Sequence, residues 1–118
     1  MKKIRRHHQV IIPLAEGATT KEVLISGAFD GDIVGIGTVT LGDIPSGQSA
    51  DVSMKNGSSI VMEPIDIGFT DIAGKDNQVF PVRVERPGNI RVVVTPTATI
   101  GTGEDYSVRA TVFYESEC

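Results

Sequence analysis

The sequence predicts an all-β protein: one sandwich of about eight mainly antiparallel strands, with a short basic arm in front of it. Three observations predict it. Apolar residues recur with period two through most of the chain, no ten-residue segment carries them at helical spacing, and turns rich in glycine, proline and aspartate separate the alternating runs. A chain of 118 residues buries roughly two-thirds of the surface its unfolded form exposes. That is enough for a core without metal or disulfide.

Residues 1–8, MKKIRRHH, form the arm, and residues 9–118 form the sandwich domain. The first strand is expected at Gln9–Leu14, followed by Lys21–Ser26, Ile33–Thr40, Ala50–Met54 and Ser59–Ile67. In VFPVRVER, from Val79, the residues Phe80, Val82 and Val84 lie opposite Arg83 and Glu85. IRVVVTP puts Ile90, Val92 and Val94 on one face. The clearest alternation is YSVRATVFYE: Tyr106, Val108, Ala110, Val112 and Tyr114 face one way, Ser107, Arg109, Thr111 and Glu115 the other, and Phe113 is the exception.

Turn chemistry fills the gaps. Asn56-Gly57 suits a type I′ hairpin, and Arg86-Pro87-Gly88-Asn89 a type II turn with proline and glycine in the central positions. Asp30-Gly31-Asp32, Gly42-Asp43, Ile44-Pro45-Ser46-Gly47 and Gly101-Thr102-Gly103 mark the remaining connections. Pro13, Pro64 and Pro81 each fall within an expected strand, which confines them to edges, bulges or strand ends. Gly35 and Gly37 in GIGTVTLG have no helix after them to receive a phosphate, so they are expected to allow a bend or a close approach by another backbone.

Charge divides the chain sharply. Lys2, Lys3, Arg5 and Arg6 make the arm basic, whereas residues 9–118 hold seven Lys and Arg against fifteen Asp and Glu. An acidic body repels nucleic acid over about 8 Å at physiological salt. Phosphate contact therefore falls to the arm alone, and four charges make it weak and salt-sensitive. Partner binding is accordingly assigned to Lys2, Lys3, Arg5, Arg6, His7 and His8, with an acidic neighbouring subunit as the expected partner. No apolar run approaches the roughly 18 residues of a membrane span, and the chain reads as soluble and unprocessed.

Chemistry is sparse. Both histidines lie in the arm, away from any serine and carboxylate, which argues against a hydrolytic triad. Cys118 lacks a positioned base and, as the lone cysteine, an intrachain disulfide partner. No zinc set exists, although the His7-His8 pair could capture metal adventitiously. Asp30 and Asp32, or Asp71, Asp76 and Asn77, offer oxygen ligands of the kind calcium takes, but neither loop has EF-hand spacing, and aspartate in turns commonly serves the local backbone. With no tryptophan and only Tyr106 and Tyr114, a carbohydrate platform or base-stacking surface has little to build on. The sequence thus predicts no catalytic site, no cofactor and no metal.

The succession KEVLISG, SSIVMEPIDI, PGNIRVVVTP and SVRATVFYE, over roughly residues 9–115, resembles small jelly-roll-like β-sandwich proteins of phage virions: decoration, cement and head-fibre proteins. The resemblance lies in strand and turn style rather than in a signature motif. It implies a virion component, made in the host cytoplasm, that self-associates, often as a trimer, and holds to the capsid shell protein through a terminal arm. The competing expectation is a carbohydrate- or receptor-binding sandwich used in attachment.

Overall fold

The computed structural model describes residues 3–25, 27–72 and 79–117, the side chain of Glu117 excepted. Those residues form eight strands: β1 (Lys3–Leu14), β2 (Lys21–Leu24), β3 (Gly31–Leu41), β4 (Ala50–Asn56), β5 (Ser59–Asp66), β6 (Phe80–Val84), β7 (Ile90–Pro96) and β8 (Tyr106–Glu117). A single 3₁₀ turn, Ile67–Phe69, follows β5. Two four-stranded sheets result, ordered β1-β8-β3-β6 and β2-β7-β4-β5, and their strand pairs are antiparallel. This order is a jelly roll. Strands pair first with eighth, second with seventh, third with sixth and fourth with fifth, like one long hairpin, and rolling that hairpin sets β8 beside β3 and β7 beside β4.

Alternation determines what is buried. Tyr106, Val108, Ala110, Val112 and Tyr114 of β8 face Ile90, Val92 and Val94 of β7 across the sandwich, with Ile12, Leu14, Ile33, Ile36, Val52 and Met54 completing the core. Phe113 points outward, where its ring lies 6.0 Å from that of His7. The Tyr106 hydroxyl is buried without a hydrogen-bond partner among the described residues, and burial raises the phenol above its ordinary pKa.

Proline and glycine occupy positions that their chemistry dictates. Pro13, Pro64 and Pro81 sit on β1, β5 and β6, each an edge strand, so none costs a sheet two ladders. At Gly35 both of β3's ladders shift register, and a Cβ there would meet the Val79 side chain at 2.8 Å; one at Gly37 would meet Ile72 at 2.8 Å. The two glycines therefore serve a bulge and the close approach of the Val79 and Ile72 side chains.

Two turns differ from expectation. Asn56 pairs with Ser59, so the hairpin loop is Gly57-Ser58, and of Asn56, Gly57 and Ser58 only Gly57 has positive φ (65°), as in type II′. Asn56 stays in the strand and accepts a hydrogen bond from the Gly88 N–H at 3.0 Å through its side chain. The second difference is at Arg86-Pro87-Gly88-Asn89, where positive φ falls on Arg86 (52°) and not on Gly88. That segment joins β6 in one sheet to β7 in the other, so it is a crossover whose path is not a hairpin reversal.

Candidate functional site

The strand expected from Gln9 begins at Lys3, so the basic residues Lys3 to His8 extend the first sheet. They are held by a ladder to β8 that runs unbroken from Lys3 opposite Glu117 to Leu14 opposite Tyr106. This happens because a ladder with a set register needs only backbone groups, and the apolar Val10–Leu14 half fixes that register. Lys3, Ile4, Arg5, Arg6 and His7 are all exposed, and β8 is their one strand neighbour. Here the strand presents both faces and one edge to solvent.

Period two assigns the side chains to sides. Arg6, His8 and Val10 share the face of the buried Ile12 and Leu14, whereas Lys3, Arg5, His7 and Gln9 share the outer face. His7 and His8 therefore diverge, and the strand does not bring the tandem pair together as a chelate. Lys2 and Cys118 lie outside the described residues.

The inward residues are fixed. Arg6 Nε donates to Ser116 Oγ at 2.9 Å, and Ser116 is itself buried on β8. His8 stacks on Tyr114 with ring centroids 5.1 Å apart and planes 25° from parallel, while Phe29 presents an edge to both rings at 5.1 and 5.2 Å. His8 Nε2 is 2.7 Å from the Ala28 carbonyl oxygen. A carbonyl only accepts, so Nε2 carries the proton and Nδ1 is the acceptor in the neutral ring. Gly27, at φ 120°, passes so close that a Cβ would lie 2.7–2.9 Å from three His8 ring atoms. Sequence reasoning missed Gly27, Phe29 and Ser116; their types carry no signal of a contact this distant in the chain.

Between these residues lies an open groove of about 490 Å³, lined by Ile4, Arg5, Arg6, His7, His8 and Tyr114. Its charge is uncompensated. Among the described residues, the cations in ion pairs are Lys55, Arg83 and Arg91, two of which share Glu22 on the opposite sheet, and none of Lys3, Arg5 or Arg6 is in one. Around the corner, Asp30, Asp32 and Glu115 line a smaller recess with Lys3. Asp32 is held there by Arg83 at 3.1 Å, and no group of three or more His, Cys, Asp and Glu among the described residues could hold a metal ion. Asp76 and Asn77 lie outside the described residues, and Asp71 bridges to Thr38 beside the β3 edge. No catalytic constellation is assembled among the described residues.

No family model and no curated protein matches this chain. Among solved structures, a chain of the acidic stable capsid of Helicobacter pylori bacteriophage KHP30 is similar with a TM-score of 0.56 and 13% identity, covering 99% of this chain and 98% of that one. The likeness is one of fold, running end to end in both chains. In architecture the protein resembles a component of a phage capsid.

Proposed function

We propose that the protein is a non-enzymatic virion structural protein, of the capsid decoration, cement or minor capsid kind, that oligomerises and anchors to neighbouring shell subunits partly through its basic N-terminal segment. The observation that carries this reading is the end-to-end fold likeness to a capsid chain at matched length. The cations of β1, which make no ion pair among the described residues, support the anchoring role: no existing pair has to be broken before they meet an acidic surface. Repetition over a shell multiplies a weak contact into firm attachment. A carbohydrate-binding attachment module finds less support, because Tyr114 stacks on His8 and Phe29 packs edge-on against the pair, which leaves no open platform of parallel rings there.

The test is co-sedimentation with particles assembled from the shell protein that accompanies this chain. Lys3→Glu combined with Arg5→Glu reverses two exposed charges that make no ion pair among the described residues, and is expected to lower occupancy at least tenfold while leaving the melting temperature within a few degrees. Wild-type occupancy for that variant would remove the basic segment from the anchoring mechanism. Light scattering on a size-exclusion column checks self-association, with a salt-resistant trimer or larger assembly expected.

A further inference from the structure

We infer that the free edge of β1, from Lys3 to about Val10, is a strand-addition site for an acidic extended segment of a neighbouring subunit. The inference rests on the anchoring role proposed above and supplies its mode and partner chemistry. The three other edge strands are less suited to the task. β2 has four residues and β6 five, and β5 carries Glu63, Pro64 and Asp66, so it offers a broken donor row and the same charge sign as the body. β1 has twelve residues, and from Lys3 to His8 no proline interrupts its outward row of N–H and C=O groups. Exposed Lys and Arg on an edge usually discourage pairing between like chains. On this strand the same charges select an acidic one.

Both sides of the site read alternate residues of an added strand. On the groove side Arg6 is oriented by Ser116, its remaining guanidinium nitrogens have no hydrogen-bond partner among the described residues and can take a carboxylate, and the His8–Tyr114 stack forms a floor beneath. On the outer side Lys3, Arg5 and His7 stand in a row. The added strand therefore gains main-chain bonds at every second residue and meets cations on both faces, so acids are favoured at successive positions and not in one stripe. A second copy of this chain, brought by its own β1, would set cations against its partner's edge without any acid to meet them.

The probe is a ten-residue Glu-Val peptide in which Glu-Glu and Val-Val pairs alternate, so that acids fall on both faces of the added strand, with its Lys-Val counterpart and the same Glu-Val peptide N-methylated at alternate residues, each titrated into the full chain. Backbone amides are followed by hydrogen exchange. The Glu-Val peptide is expected to protect β1 amides between residues 3 and 10 at least tenfold, the other two peptides to give no protection, and Arg6→Ala to weaken binding about tenfold, with Arg6→Lys intermediate. Equal binding by the N-methylated peptide would overturn strand addition, as would protection confined to β2, β5 or β6, or protection of β1 with doubled mass in the absence of peptide. If no peptide protects β1 but particles still pellet the chain in a Lys3- and Arg5-dependent way, this inference fails and the anchoring stands. If particles never pellet the chain, the anchoring itself fails.

Discussion

Replacing Gly27 by alanine tests whether the basic half of β1 is part of the folded body. The new Cβ would sit 2.7–2.9 Å from the His8 ring, against 3.4 Å or more in ordinary contact, so the ring must retreat by half an ångström or more. It has little room: Tyr114 lies beneath it, Phe29 at its edge, and the Ala28 carbonyl holds Nε2 at 2.7 Å. Losing that hydrogen bond costs about 1 kcal/mol, disturbing the ring contacts about 0.5–1.5 kcal/mol, and holding alanine at φ 120° about 1–3 kcal/mol. The expected loss is about 2.5–5.5 kcal/mol, read from the urea midpoint at unchanged m-value. His8→Ala in the same chain removes the obstacle but not the backbone strain, so the double variant should be more stable than the two single losses predict by about 1–2 kcal/mol. A Gly27→Ala protein within about 0.5 kcal/mol of wild type, or strictly additive effects, would refute the placement of His8 against this loop.

Two further perturbations probe other parts of the sandwich. Tyr106→Phe removes a buried hydroxyl that has no partner among the described residues, and is expected to be neutral or stabilising by about 1 kcal/mol in thermal unfolding. Because burial raises the folded-state pKa of this phenol, its share of stability is complete below about pH 10 and is lost as pH rises through the folded value, a loss the Phe variant should lack. Asp66 is held below the ordinary aspartate range by the Gly68 N–H and then by the Ser49 hydroxyl, at 2.8 and 2.7 Å. Its contribution is present above the unfolded pKa of about 4 and lost as pH falls through the lower folded value, so Asp66→Asn should flatten the acid limb of a stability–pH profile between about pH 4 and 2.

Strand existence was legible because period two is a direct consequence of pleating. Seven of the eight strands, and the apolar half of β1, fall where alternation puts them, with Tyr106 and Tyr114 inward and Phe113 outward. Neighbour relations were not legible, since a residue's facing says nothing about which strand lies beside it. The basic half of β1 escaped for a different reason. Lys3 to His8 bury too little apolar surface to show a pattern, and only their antiparallel register with the acidic C-terminal run, Arg5 opposite Glu115 and Lys3 opposite Glu117, signals a strand. The Asn56-Gly57 dipeptide predicted a hairpin correctly but its centre one residue early, because Asn56 is committed to Gly88.

The nested pairing also orders events in time. Loop closure favours the short β4–β5 hairpin first and the widest pair, β1 with β8, last. The cationic segment is made well before β8 and is the last to be zipped in place. A nascent chain that ends before Tyr106 has the charges but no ladder to display them on, and is expected to show no edge protection in the peptide assay. Under the strand-addition inference, competence to dock is withheld from every incomplete copy, and only chains that have finished folding offer this edge.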